Sequence, residues 1–108
     1  MKYAIGLALG VMLFATAAQA DIKEFVITIQ DHKFAPAELE VPAKEKVKLV
    51  IENKDATPEE FESYDLNREK VVGGNSKIVV FVGPLEPGEY KFFGEFNEDS
   101  AQGKIVVR

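Results

Sequence analysis

Apolar and polar residues alternate with a period of two in several short segments of the chain. In Lys23–Gln30, the residues Phe25, Ile27 and Ile29 fall on one face, and mostly polar residues fall on the other. Lys46–Glu52 repeats the pattern. A period of two that includes β-branched residues is typical of a half-buried β-strand.

Further apolar runs are separated by turn residues such as Gly, Pro, Asn and Asp. The other predicted strands are Glu38–Val41, a weaker segment at Phe61–Leu66, Ile78–Val82, Tyr90–Phe96 and Lys104–Arg108. Short strands with turn signals about every 8 to 12 residues indicate an antiparallel sandwich. The pattern therefore predicts an all-β fold of about seven to eight short strands.

The first 20 residues differ from the rest of the chain. Lys2 supplies a positive charge, residues 3–17 are mostly apolar, and Ala18–Ala20 fits a signal cleavage site. The apolar run is shorter than the roughly 20 residues that a membrane span needs. We therefore expect residues 1–20 to be a secretory signal peptide and residues 21–108 to be one periplasmic or secreted domain that is not membrane-anchored after cleavage.

Composition narrows the classes of partner. The chain of 108 residues has a net charge of −5 and no cysteine. Without cysteine there is neither a disulfide nor a lipid anchor on an N-terminal cysteine, and stability has to come from a modest apolar core. An acidic chain argues against nucleic acid and anionic membranes, and favours cations or basic partners.

Two segments resemble a known family. HKFAPAELEVPAKEKVKLVIENKD, from His32 to Asp55, resembles the opening of a cupredoxin domain. PLEPGEYKFFGEF, from Pro84 to Phe96, and the later AQGKIVV resemble its closing part. This resemblance runs from about His32 to Val107, and it implies the cupredoxin Greek-key β-sandwich.

A narrower resemblance concerns function. TPEEFESYDLNREKVV, residues 57–72, and GPLEPGEYKFFGEF, residues 83–96, are similar to a cupredoxin-like group found beside bacterial iron permeases and EfeO-type iron-uptake proteins. The resemblance implies a periplasmic component of ferrous iron uptake. Its expected partner is an iron permease or a periplasmic iron-binding protein.

The ligands of a blue-copper site are missing. Members of the family that transfer electrons through copper use two histidines, a cysteine thiolate and usually a methionine. The resemblance places Glu59 and Asn97 at the two histidine positions, Gly94 at the cysteine and Gln102 at the methionine. Without a thiolate a type 1 copper centre is excluded.

A site of harder donors is the alternative. Glu59 shares the parity of the apolar Phe61 and is expected to point inward, whereas Glu60 and Glu62 point outward. Carboxylate and amide oxygens suit divalent ions such as Fe²⁺ better than Cu(I).

We therefore expect a site for divalent copper or iron, with Glu59 and His32 as preferred ligands and Glu95 and Asn97 as secondary ones. The competing interpretation is that the carboxylates form a solvated surface and that His32, the single imidazole, is a solvated or capping residue.

Three functions are compatible with these features. The first is an accessory protein of ferrous iron transport that binds a divalent metal at a non-blue site. The second is a metal-free interaction module that docks on a permease or an iron-binding partner. The third is an enzyme, a ferrous iron oxidase. Arg68 and Lys70 are expected to pair with Glu62, Asp65 or Glu69 on the surface, as weak ion pairs.

Overall fold

The computed structural model describes residues 21–108, so the predicted signal peptide lies outside the described residues. Nine strands and one short 3-10 turn make up the described part, which contains no α-helix. The strands are β1 Lys23–Gln30, β2 Lys33–Ala35, β3 Glu38–Val41, β4 Val47–Asn53, β5 Glu59–Ser63, β6 Arg68–Val72, β7 Ser76–Val82, β8 Gly88–Gly94 and β9 Gln102–Val107, and the 3-10 turn is Glu95–Asn97. No helix in this range is long and apolar enough to cross a membrane.

The strands form two sheets, which confirms the predicted all-β sandwich. One sheet has the order β2-β1-β4-β7, and the other has the order β3-β9-β8-β5-β6. The pairs β1–β4 and β3–β9 are parallel and the other pairs are antiparallel, so the prediction of a purely antiparallel sandwich is wrong. The chain therefore crosses between the sheets several times.

The core lies between the sheets and follows the alternation in the sequence. Ile27 and Ile29 of β1 are buried together with Leu49 and Ile51 of β4. Ile27 lies beside Ile51 in the parallel β1–β4 pair, and Leu49 is on the same side of β4 as Ile51. These branched side chains therefore share one inner face of the sheet. Burying such side chains contributes roughly 1.5 to 3 kcal/mol each, and this burial is the main stabilising term of a domain without disulfides.

Three phenylalanines join the two sheets at the centre of the core. Phe34 of β2 packs edge-on against Phe92 of β8, with ring centroids 5.0 Å apart. Phe61 of β5 lies 5.1 Å from Phe92 and 6.3 Å from Phe34. Such aromatic pairs stabilise a fold by about 0.5 to 1.5 kcal/mol beyond the area they bury.

The basic side chains of β6, Arg68 and Lys70, contact backbone carbonyls rather than acids. The predicted ion pairs of Arg68 and Lys70 with nearby acids are wrong. Arg68 Nε donates to the carbonyl of Phe81 at 3.0 Å, and Lys70 Nζ donates to the carbonyl of Val79 at 3.3 Å. Both carbonyls belong to β7, the edge strand of the four-stranded sheet. The two side chains therefore cover part of an exposed sheet edge, a common protection against edge-to-edge pairing.

Candidate functional site

Glu59 is the buried acid at the loop end of the sandwich. It is the first residue of β5 and is 1% exposed. Phe61, two residues later, is fully buried on the same side of the strand. The predicted inward orientation of Glu59 is therefore confirmed, and its cause is the alternation of side chains along an extended strand.

Three N–H groups surround the Glu59 carboxylate. Its Oε1 accepts hydrogen bonds from the backbone N–H of Glu60 at 2.9 Å and of Phe96 at 2.8 Å. Its Oε2 accepts from Nδ2 of Asn97 at 2.8 Å. Two of the three donors lie on the 3-10 turn, so the side chain connects β5 to the loop after β8. Hydrogen bonds to a charged group contribute about 1.5 to 3 kcal/mol, which offsets the cost of burying the acid.

Gly94 has no room for a side chain. A Cβ atom built on this glycine would lie 2.6 Å from the carboxylate carbon of Glu59 and 2.7 Å from Cβ of Ala101. Ala101 is fully buried, and its carbonyl accepts from the Gly94 N–H at 2.9 Å. The volume beside Gly94, where the resemblance places a cysteine, is filled by a carboxylate and a methyl group.

Gln102 does not face this volume. It is exposed, and its Nε2 donates to the carbonyl of Glu98 at 2.7 Å. The side chain at the position that the resemblance assigns to methionine therefore points away from this volume, and Ala101 is the neighbour of Gly94. The register of β8 and β9, which pairs Phe93 with Gln102, brings Ala101 next to Gly94. Carboxylate, amide and methyl groups do not fit a type 1 copper ion, which needs a thiolate.

His32 lies on a different part of this end. It has a φ of 58° in the turn between β1 and β2, and its side chain is 46% exposed. Its Nδ1 lies 3.6 Å from Oδ2 of Asp55, and its carbonyl accepts from Oγ of Ser100 at 2.6 Å. The contacts of His32 thus lead to Asp55 and Ser100, whereas those of Glu59 lead to the 3-10 turn.

Asp55 has a structural role that its sequence context, a loop between two strands, did not predict. Its carboxylate accepts from the backbone N–H of His32 at 2.9 Å and of Asp31 at 2.8 Å. These hydrogen bonds, that of His32 first, hold the pKa of Asp55 below its usual value. The Asx signal Asn53–Asp55 was visible in the sequence, but its long-range partner was not.

Glu95 joins a group of outward-facing acids. Carboxylate oxygens of Glu60, Glu62 and Glu95 lie within 4.8 Å of one another. Glu62 also stands directly opposite Glu69 across the β5–β6 pair. We call the surface formed by Glu60, Glu62, Glu69 and Glu95 the acidic face.

Repulsion and partial burial change the acidity of this face. The pKa of Glu62 is raised to about 7 by partial burial, by a hydrogen bond with Glu95, and by the charges of Glu69, Glu95 and Glu60. Partial burial and Glu69 also raise the pKa of Glu60. Like charges directly opposite in a sheet are destabilising. The acidic face therefore favours protons or other cations.

Exposed apolar side chains border the acidic face. Tyr64 is 76% exposed and packs at a tilt of 60° against Phe93, the register partner of Glu62, with ring centroids 5.4 Å apart. Val71 stands opposite Glu60 and is 51% exposed. Phe96 is 50% exposed beside Glu95. Large apolar groups exposed together often mark a contact surface.

Of the four predicted ligands, the structure brings Glu59 and Asn97 into direct contact. Glu95 belongs to the acidic face, and His32 belongs to the contact with Asp55.

Comparisons with known proteins give the relatives of this fold. The family model described as Cupredoxin-like domain matches residues 3–107. Uncharacterized protein RP394 of Rickettsia prowazekii (strain Madrid E) is 52% identical over 87 residues, which cover 81% of this chain and 70% of that protein.

Two solved structures share the fold at low identity. Auracyanin A, a "blue" copper protein from Chloroflexus aurantiacus, matches with a TM-score of 0.69 and 16% identity. The match covers 82% of this chain and 100% of auracyanin A. The metal binding domain of the Cu(I) exporting P-type ATPase CopA of Streptococcus pneumoniae D39 has a TM-score of 0.70 and 14% identity, with 85% and 91% of the two chains covered. At this identity the likeness concerns the fold alone.

Proposed function

The chain belongs to the cupredoxin-like domain family, and we propose that it is an exported accessory protein of ferrous iron transport that binds a basic protein partner on its acidic face. The Glu59 carboxylate fills the space beside Gly94 at the loop end. In this proposal it holds β5 to the 3-10 turn and has no part in redox chemistry.

The observation that carries this proposal is the cross-strand pair Glu62–Glu69. Two carboxylates placed directly opposite each other repel, and two more from Glu60 and Glu95 add to the repulsion. A lysine or arginine of a partner placed between them would relieve this repulsion, because an opposite charge favours the ionised carboxylates.

The apolar border favours a protein over a bare ion. A metal ion needs only oxygen ligands, whereas exposed Tyr64, Val71 and Phe96 gain stability when another apolar surface covers them. Charged Glu62 also raises the pKa of Tyr64, which reflects the short distance between the charged and aromatic parts of this surface. A partner segment with basic and apolar side chains would match both parts.

The link to iron uptake rests on residues 57–72. This segment resembles the group found beside iron permeases, and it folds into β5 and β6. These two strands carry three of the four acids of the acidic face, namely Glu60, Glu62 and Glu69. The part of the chain with the narrower resemblance is thus the part that presents the proposed contact surface. Export and a periplasmic location follow, in this proposal, from residues 1–20.

A second candidate function is the binding of a divalent metal. The convergence of Glu60, Glu62 and Glu95 oxygens within 4.8 Å favours it. Such oxygens are hard donors suited to Fe²⁺ or Mn²⁺. In this form the acidic face would hold iron for transfer to a permease, with Glu95 as a shared ligand.

Peptide and metal titrations separate the two candidates. The probe is a short peptide of alternating lysine and phenylalanine, titrated at pH 7.5 and followed by the amide NMR signals of β5, β6 and the 3-10 turn. The double variant Glu62→Gln/Glu69→Gln should weaken binding about tenfold, since each charge pair contributes up to about 1 kcal/mol. The matched control Glu38→Gln/Glu40→Gln removes two exposed acids from β3 and should bind normally.

Equal affinities of the two double variants would overturn the docking proposal. Mn²⁺ titrated alone tests the second candidate, and saturable binding that Glu95→Gln abolishes would favour it. The transport role is tested in cells that lack the protein. Ferrous iron uptake should be restored by the wild type and by the β3 control, and not by the Glu62→Gln/Glu69→Gln variant.

A further inference from the structure

An acid–amide contact between Glu59 and Asn97 lies at the loop end of the sandwich. The resemblance places Glu59 and Asn97 at two ligand positions, and in the structure they are bonded directly, with Oε2 and Nδ2 2.8 Å apart. Two ligand atoms of a tetrahedral ion with bonds near 2.0 Å stand about 3.3 Å apart. The observed contact is shorter than that spacing, so the two groups satisfy each other.

The surrounding donors fit an anion. Besides Asn97, the carboxylate accepts from the N–H groups of Phe96 and Glu60. Three N–H dipoles around one carboxylate stabilise its charged form, the role that a bound cation has in a metal site. The neighbouring position is Gly94, where a side chain would collide with the same carboxylate.

We infer that the Glu59 carboxylate and the Asn97 amide replace a metal ion as the internal link between β5 and the 3-10 turn, and that the residue at 97 decides whether this end binds metal. With a donor at 97 the link is a hydrogen bond. With an acceptor at 97 the two facing oxygens would separate by about 0.5 Å, from the observed 2.8 Å to the spacing of two ligand atoms, and hold a divalent cation between them. This inference concerns the interior of the fold and is independent of the acidic face.

The test converts the donor into an acceptor. The variant is Asn97→Asp, made in a Glu62→Gln background so that metal binding at the acidic face does not contribute. In EDTA the two facing carboxylates repel, and the unfolding midpoint should fall by about 5 °C or more relative to the parent. Addition of Zn²⁺ should restore it, because a ligand that binds only the folded state raises its stability. The parent should be unaffected by Zn²⁺.

Two results would overturn the inference. One is an Asn97→Asp protein as stable in EDTA as its parent, since the link would then carry no weight. The other is a destabilised variant whose midpoint neither Zn²⁺, Cu²⁺ nor Mn²⁺ raises, since the loop end would then not have the geometry of a metal site.

Hydrogen exchange tests the same link if Asn97→Asp does not fold. The backbone N–H of Phe96 donates to Glu59 and should exchange more slowly than the N–H of the exposed Asp99. The variant Glu59→Gln should accelerate exchange at Phe96, and the neighbouring Glu60→Gln should not. Unprotected exchange of the Phe96 N–H in the wild type would contradict the link. None of these readouts depends on peptide binding, so each proposal can fail alone.

Discussion

The Glu59 carboxylate occupies the space in the interior of the sandwich that a side chain on Gly94 would need. A Cβ on Gly94 would stand 2.6 Å from the Glu59 carboxylate carbon, closer than two such atoms can approach. Ala101 closes the same space from the opposite side. The glycine is therefore required by its neighbours rather than by its own backbone conformation.

Replacement of Gly94 by alanine should destabilise the protein by about 2 to 3 kcal/mol, because overpacking in a closed core forces its neighbours to shift. Urea unfolding at pH 7 measures this change. Gly73→Ala is the matched control, since a Cβ there would meet the Ser76 hydroxyl oxygen at 3.1 Å and no backbone atom. The control should lose less than about 1 kcal/mol. Similar losses in both variants would show that the volume beside Gly94 can expand.

Asp55→Asn should destabilise the protein in a pH-dependent way. The folded-state pKa of Asp55 lies below its usual value of 3.8, so its stabilising effect is present above pH 3.8 and is lost as the pH falls through the lowered pKa. At pH 7 the variant should lose about 1 to 2 kcal/mol, since it weakens the acceptors of two backbone N–H groups. The loss should shrink below pH 3.8.

Urea unfolding at several pH values checks this expectation. Asp21→Asn, at an exposed position ahead of β1, is the control and should follow the wild type throughout. A loss at Asp55 that stays constant down to the lowest pH would indicate a steric effect of the amide.

Glu62→Gln should have the opposite dependence on pH. The pKa of Glu62 rises from 4.5 to about 7 on folding, so the folded state binds more protons between these values. Stability of the wild type therefore falls as the pH rises through this window. The glutamine variant lacks this fall and should be the more stable protein above pH 7, with no advantage near pH 4.

The control for Glu62 is Glu24→Gln, which removes an acid 3.4 Å from Lys48 Nζ. It should show no gain at high pH. If the thermal midpoint of Glu62→Gln equals that of the wild type at pH 8, the carboxylates of the acidic face do not destabilise the protein by repulsion.

Removal of the two basic side chains on β6 should promote self-association. The double variant Arg68→Ala/Lys70→Ala uncovers the carbonyls of Phe81 and Val79 on the edge strand β7. Free edge groups can pair with the edge of a second molecule. Light scattering at rising protein concentration should detect larger species, absent in the control Lys23→Ala/Arg108→Ala, which has the same loss of charge. Monomeric behaviour of both variants would show that the edge needs no cover.

The strands with clear alternation could be predicted from the sequence. The bounds of β1 agree with the predicted Lys23–Gln30, and β4 differs from Lys46–Glu52 by one residue at each end. β6 was missed because four of its five residues, Arg68 to Val71, are exposed. Such a strand has no alternation of apolar and polar residues that would reveal it in the sequence. The three-residue strand β2, Lys33–Ala35, was missed as well, so the nine observed strands exceed the predicted seven to eight.

The candidate site was predictable in part. Parity alone placed Glu59 inside and Glu60 and Glu62 outside. The 3-10 turn brings the Phe96 N–H and the Asn97 amide into contact with Glu59. These donors stand 37 and 38 positions from Glu59 in the chain, so the contacts depend on the geometry of the loop and not on a local pattern. For the same reason the sequence did not reveal that Ala101 packs against Gly94.

The three core phenylalanines have a consequence for how the domain acquires its structure. Phe34, Phe61 and Phe92 come from well-separated parts of the chain, and each ring contacts the other two. No hairpin of neighbouring strands can assemble this cluster by itself, so long loops must close before it forms, and loop closure of this kind slows folding. A fragment that ends before β8 lacks the ring at the centre of the cluster. Folding of this domain therefore has to wait until nearly the whole chain is available.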